Sequence, residues 1–288
     1  MRNVKKSSTA GYTEIIKPKN SIWDVNLKEI WRYKDLILLF VRRDFVAVYK
    51  QTVLGPLWLF IQPLFTTIIF YFIFTRVAKI PTNGIDPILF YLSGITLWTY
   101  FADCLNKTSN TFVSNASIFG KVYFPRLTAP ISIVISNLIK FAIQMGLFLV
   151  VLVVQYFLND TSISPNLSLL LFPIYVVIMA ILGLGLGIIF SSLTTKYRDL
   201  GFLLGFGVQL MMYATPVIYP LQYTEGKLYT LISYNPLTPI MENMRYALFS
   251  QGTFDINGLI YTAIVSISVL SFGIIIFNRV ERSFMDTV

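Results

Sequence analysis

The sequence predicts an all-α integral membrane fold: six transmembrane helices per subunit, an N-terminal amphipathic helix at the membrane interface, and an outer re-entrant helical hairpin. Three observations lead there. Hydrophobic residues fill 55% of the 288 positions and charged residues only 13%, against about a quarter charged in a soluble domain; the mean hydropathy is +0.67. Apolar runs near the roughly 20-residue length of a bilayer crossing recur along the chain. Lysine and arginine gather in alternate connections between those runs, as they do in polytopic proteins.

Arg42 to Pro63 is the boundary at which the chain leaves water. Lys50 is the last charge before the first long apolar run, and Trp58 sits just inside it. A cation among headgroups with an indole at the polar boundary fixes the depth of a span. Gly55-Pro56 sets the approach angle, since proline suits a helix's first turn and glycine permits an abrupt bend. The division expected is a cytoplasmic arm over 1–55, a six-span domain over 56–281 and a cytoplasmic tail over 282–288.

Within the arm, residues 1–20 are polar and have no apolar h-region, so the first span is expected to direct its own insertion. Ser21 and Asp24 have the spacing of a capping box. Trp23, Leu27, Ile30, Trp31, Ile37, Leu38 and Val41 then recur at helical spacing, with Lys28, Glu29, Arg32 and Asp35 on other faces. A basic helix with tryptophans on its apolar side suits the headgroup plane. The alternative is a helix packed on a partner.

The six expected spans are Leu57–Phe74, Ile88–Ala102 extended toward Asn106, Ala129–Leu158, Leu167–Leu193, Gly201–Tyr219 and Ile256–Phe277. With the N-terminus inside, the inner segments hold eighteen of the 23 lysines and arginines, which predicts both termini in the cytoplasm. Asn106–Thr128, with the amphipathic stretch Ser117–Phe124, and the compact Thr194–Leu200 are then inner connections. The outer connection Pro220–Asp255 is unusually apolar. It reads as two short helices broken at Asn235-Pro236, a hairpin dipping into the outer leaflet.

Histidine is absent and there is one cysteine, Cys104. The commonest general base and metal ligand are missing, no internal disulfide is possible, and neither a catalytic nor a metal site is read here. A membrane-embedded transferase acting on lipid-linked sugars is the rival reading; it lacks a pair of carboxylates at one membrane face. The net charge of +9 follows topology and does not point to nucleic acid. Gly183, Gly185 and Gly187 lack the spacing of a nucleotide fingerprint. Gly183/Gly187 and Gly201/Gly205 instead form small-xxx-small faces for close helix packing. Lys140, inside the third apolar run, either snorkels to the inner interface or faces a channel, with no intramembrane carboxylate as partner because Asp103 ends a span. Tyr71, Tyr91, Trp98, Tyr213 and Tyr219 fit interface belts individually; as a set they are candidate channel aromatics for a substrate with apolar ring faces.

These residues also carry a family likeness. Arg43-Asp44, Tyr49-Lys50-Gln51-Thr52, Leu54-Gly55, Trp58 and Gln62-Pro63 resemble the start of the first span in type-2 ATP-binding-cassette permeases that export O-antigen, capsule or teichoic acid. Lys196-Tyr197-Arg198-Asp199-Leu200, Thr215-Pro216-Val-Ile-Tyr219-Pro220, and Tyr234-Asn235-Pro236-Leu-x-Pro239 with Glu242 and Arg245 resemble later junctions of the same family, in the same order. The resemblance implies a homodimer paired with two copies of a separate ATPase subunit that binds ATP and magnesium, so this chain needs no cofactor. It implies a polysaccharide substrate carried on an undecaprenyl-pyrophosphate-type lipid in the inner, cytoplasmic membrane. On that footing Arg42, Arg43 and Lys50 would receive the lipid pyrophosphate, or anionic bilayer lipid. Ser117, Phe119, Lys121 and Tyr123, with Lys196, Tyr197, Arg198 and Asp199, would couple to the ATPase.

Overall fold

The computed structural model describes residues 27–50, 52–159 and 165–285, and over these the chain is helical with no strand. Ser21, Trp23 and Asp24 lie outside the described residues. Two short helices open the fold, α1 (Leu27–Arg32) and α2 (Lys34–Tyr49). Ile30, Ile37 and Val41 bury one stripe against Leu127, Ile131 and Ile135, while Trp31, Leu38 and Leu39 stay exposed. The stripe that read as a single apolar face is thus divided. One part packs on the chain itself and the other is open.

A 3-10 turn at Gly55–Leu57 leads into α3 (Trp58–Phe70), which continues as a π-helical end over Tyr71–Val77. Next comes α4 (Pro87–Thr108), started by Asp86, whose carboxylate accepts from the backbone N–H of Ile88 and Leu89 at 2.9 and 3.3 Å. Proline at its first position needs no donor there. A short α5 (Thr111–Phe119) precedes the long α6 (Thr128–Asn159). Then follow α7 (Phe172–Thr194), entered through a 3-10 turn at Leu167–Leu171, and α8 (Leu200–Tyr213). The chain ends with α9 (Gly226–Ser233), α10 (Thr238–Phe249) and α11 (Ile256–Met285).

Among the described residues, five helical stretches are long and apolar enough to cross a bilayer: Gly55–Val77, Pro87–Thr108, Thr128–Leu158, Leu167–Thr194 and Ile256–Val280. The expected crossing Gly201–Tyr219 is shorter as a helix, because α8 has only 14 residues. At 1.5 Å per residue it is about 21 Å long, against roughly 30 Å of hydrocarbon. Pro216 explains the stop, since it offers no backbone donor and biases Thr215 away from helix.

The centre of the bundle is α4, whose Leu89–Leu92, Phe101 and Cys104 are almost fully buried. It packs on α3, α6, α7 and α8. Glycine sets the closest approaches. A Cβ built at Gly187 would stand 2.6 Å from Thr108 Cβ, and one at Gly183 would stand 2.9 Å from Cys104 Cβ. One helical face of α7 therefore lies directly on α4. A Cβ built at Gly185, on the opposite face, would stand 2.8 Å from the Leu270 backbone N, and one at Gly273 of α11 would stand 2.8 Å from the Gly185 carbonyl oxygen. Backbones this close let dispersion act over a long seam. Gly201 and Gly205 correct the expectation of packing, because a Cβ at either would meet nothing within 4 Å.

The connection after α8 is tied down by side chains. Asn235 Nδ2 donates to the Ala214 carbonyl and to Thr215 Oγ1, both at 2.9 Å, while its Oδ1 accepts from Leu237 N–H. This is the break between α9 and α10 that the Asn-Pro pair predicts. Arg245 of α10 is buried. Its guanidinium donates to the carbonyls of Pro216 (2.6 Å) and Val217 (2.9 Å), pairs with Glu242 at 3.3 Å, and stacks 3.7 Å from the Phe90 ring centre. Burial lowers its pKa to about 10, with the nearby Glu242 carboxylate opposing the shift, so it stays cationic at neutral pH. A single side chain thus joins α10, the turn after α8 and the first half of α4.

Candidate functional site

At one end of the bundle α2, α4, α5 and α6 converge. A buried aromatic cluster of Phe40, Phe112, Phe119, Phe124 and Phe277 joins α2 and α5 to α11, with Ala129 of α6 and Ile188 of α7 at its edge, and the Phe112 and Phe277 rings stack at 4.5 Å. Hydrogen bonds join α5 and the turn before it to α7: Phe112 N–H donates to Ser191 Oγ at 3.3 Å and Thr194 Oγ1 to the Ser109 carbonyl at 2.9 Å. The segments around α5 and around 195–199 therefore adjoin.

A cleft of about 560 Å³, lined by both polar and apolar groups, opens beside this cluster. Its cations are Arg43, Lys107 and Lys140, and its neutral polar groups include Asn106, Asn110, Asn115 and Asn137. Lys140 Nζ lies 2.7 Å from Asp103 Oδ2. This corrects the expectation that Lys140 has no carboxylate partner. Asp103 sits on the α4 surface that faces α6, so ending a span does not take it out of reach. Lys107 Nζ is 3.9 Å from the same carboxylate oxygen and donates to Asn137 Oδ1 at 2.8 Å. Asn137 Nδ2 is buried without a hydrogen-bond partner among the described residues.

Of the three cations singled out before the first span, Arg43 alone lines the cleft. It bonds Asp44 through Nε and an η nitrogen at 2.9 and 2.8 Å, donates to Asn115 Oδ1 at 3.3 Å and lies 4.7 Å from the Phe40 ring centre. Arg42 and Lys50 are exposed outside it. The structure therefore does not gather these three into one pocket.

Among the coupling residues, Ser117, Lys121 and Tyr123 are exposed, as are Lys196, Tyr197, Arg198 and Asp199. Phe119 is a correction. It is 3% exposed and packs between Phe112 and Phe124, so it secures the segment from inside. The amphipathic pattern marked it as apolar without showing which apolar residues face inward.

The aromatic set also divides. Tyr71 hydroxyl accepts from Arg76 Nε at 2.8 Å, and Tyr91 hydroxyl lies 3.1 Å from Thr75 Oγ1, so both meet the π-helical end of α3. Tyr219 hydroxyl donates to the Tyr213 carbonyl at 2.8 Å. Tyr91 and Trp98, however, are buried inside the subunit. They do not line an open surface of it. Sequence reading missed the cleft's amides and Lys107. The available signal was helical spacing, since Asp103 and Lys107 are four apart and Asn137 and Lys140 three apart.

Among the described residues, five bilayer-length helices, with the buried α4 as the central one, and a cleft at one end define a polytopic integral membrane protein. The ABC-2 type transporter family matches residues 35–249, and the chain belongs to that family. It is similar to two proteins of Klebsiella pneumoniae, each called O-antigen export system permease protein RfbA. One is 30% identical over 253 residues and the other 31% over 256, in both cases 88% of this chain and 94% of the relative. A Myxococcus xanthus protein of the same description is 26% identical over 264 residues, 91% of this chain and 98% of that one.

Proposed function

We propose that this chain is the membrane subunit of an exporter that moves lipid-linked polysaccharide, of the O-antigen class, out of the cytoplasm. The observation that carries this is the similarity to O-antigen export permeases along nearly the whole of both chains. In this reading α8 and the turn after it form the sixth crossing, and both termini lie inside. The exposed Trp31, Leu38 and Leu39 rest α1 and α2 on the inner membrane surface. The pair α9 and α10 dips into the outer leaflet.

Two copies of the chain enclose the path, and two copies of a separate ATPase subunit supply the energy while holding ATP and magnesium. Ser117, Lys121 and Tyr123, next to Lys196, Tyr197, Arg198 and Asp199, form the surface on which the ATPase pushes. Motion there is transmitted through the hydrogen bonds between α5 and α7. Arg42, Arg43 and Lys50 attract the lipid pyrophosphate at the inner surface, where Arg43 gains from a planar fork that binds two oxygens. Tyr71, Tyr213 and Tyr219 offer ring faces near the outer ends of α3 and α8.

Affinity purification of the chain from its own cells, in mild detergent, tests the assembly. An ATPase subunit should be recovered in equal copy number in a complex holding two of each. Recovery of the chain as a monomer, with no ATPase under conditions that retain other transporter complexes, would contradict the reading.

A further inference from the structure

We propose that the cleft between α2, α4, α5 and α6 binds the phosphate group of a lipid, with Lys107, Asn110 and Ser114 as polar contacts. This goes beyond the reading above, in which Arg42, Arg43 and Lys50 attract a headgroup at the open surface. Arg43 also lines the cleft, where Asp44 holds it; Arg42 and Lys50 do not line it. The inference rests on membrane insertion and not on export.

Charge gives the first argument. Asp103 is shared by two ammonium groups, Lys140 at 2.7 Å and Lys107 at 3.9 Å, while Asp44 answers Arg43 at 2.8 Å. Three cations thus face two carboxylates, leaving one positive charge in excess at a partly enclosed position. Lys107 is the one with capacity to spare. Its side chain is about half exposed, and Asn137 Oδ1 takes one of its N–H groups. A compact group with several acceptor oxygens and negative charge suits that environment, because hydrogen bonds to charged groups are the strong ones.

The rest of the lining argues for a lipid over a free ion. Phe45, Ala47 and Ile133 form apolar wall beside the polar groups. The cleft lies where α4 and α6, two bilayer-length helices, pack together. Its volume of about 560 Å³ exceeds what a single phosphate group needs and leaves room for the first carbons of a lipid. A lipid held there would touch α4 and α5 through its phosphate and α2 through the apolar wall of Phe45 and Ala47, so it would link α2 to the segment that adjoins α7.

The test uses the full-length protein in phosphatidylcholine nanodiscs, titrated with phosphatidylglycerol and read by native mass spectrometry of retained lipid. Lys107→Glu should weaken retention roughly tenfold, the loss that follows when one charge-assisted contact becomes a repulsion. Lys107→Arg should retain the lipid, and Arg279→Glu, exposed and outside the cleft, should behave as wild type. Polyprenyl diphosphate that displaces phosphatidylglycerol would assign the site to the carrier lipid, and failure to displace it would assign the site to bilayer lipid. Both outcomes support a lipid phosphate. Displacement by inorganic phosphate at equal concentration would overturn the lipid part. Unchanged retention in a monodisperse Lys107→Glu protein would overturn the site itself. No ATPase is present in this assay, so a failure of the export reading leaves it unaffected.

Discussion

Lys140 and Asp103 meet at 2.7 Å across the packed surfaces of α6 and α4, with side chains 16% and 24% exposed. A cation inside a long apolar helix is costly, and this pairing explains why the fold tolerates it. Removing Asp103 takes away the carboxylate that pairs with Lys140, and removing Lys140 leaves Asp103 only the more distant Lys107 at 3.9 Å. Asp103→Asn or Lys140→Met alone should each lower stability by about 1–3 kcal/mol, discounted from the cost of breaking a fully buried pair. The double variant should lose less than the sum. Thermal unfolding of the four proteins in one detergent measures the coupling, and strict additivity would mean that the two charges do not interact.

The glycines of α7 and α11 make a second case. Gly185→Val should destabilise by about 1–3 kcal/mol, because the added atoms would fall within 3 Å of the Leu270 backbone and a close-packed seam yields little. Gly205→Ala should leave unfolding of the subunit unchanged, since space is open around it. Equal effects at the two positions would show that the seam is not as tight as described.

A third prediction concerns Arg245. Arg245→Met leaves the carbonyls of Pro216 and Val217 without their donor, at a cost of about 2–4 kcal/mol. Arg245→Lys recovers little of it, since an ammonium cannot reach both carbonyls and Glu242 in one geometry. Cysteines placed at Leu237 and Ile240, both buried, should become reactive to maleimide in Arg245→Met and stay unreactive in wild type. Silence in both proteins would remove Arg245 as the tie on α10.

Much of this architecture is legible in sequence, and the residues show where legibility stops. Apolar run length marks five spans to within a few residues, because a bilayer dictates length. It overextends the run at Gly201–Tyr219, where hydropathy continues past Pro216 but the helix does not. The Asn235-Pro236 break is readable since it is local backbone chemistry. Gly183 and Gly187 announce close packing, while Gly201 and Gly205 carry the same pattern with open space beside them. Pattern shows that a backbone is accessible and leaves the neighbour undetermined. The site is less legible. Lys140, Asp103, Lys107 and Asn137 come from two helices, and a single sequence does not say which faces meet.

The buried and open faces of α5 can be probed directly. A cysteine at Phe119 should resist maleimide, whereas cysteines at Ser117 and Tyr123 should react. In the assembled complex, crosslinks to the ATPase should form from Tyr123 and Tyr197. If Phe119 proves the reactive position and Ser117 the protected one, α5 is turned the other way.

The central claim is transport of a lipid-linked polymer in which Arg43 takes part, and surface polysaccharide in cells making only a variant chain measures it most directly. Membrane abundance and recovery of the ATPase serve as controls. Loss of the chain should abolish surface polymer and leave lipid-linked polymer inside. Arg43→Lys should export partially, and Arg43→Gln less, because the guanidinium fork reads phosphate oxygens where an ammonium acts as a point charge. Unchanged surface polymer in cells lacking the chain would contradict the account outright, and normal export by Arg43→Gln at normal abundance would remove Arg43 from the substrate path.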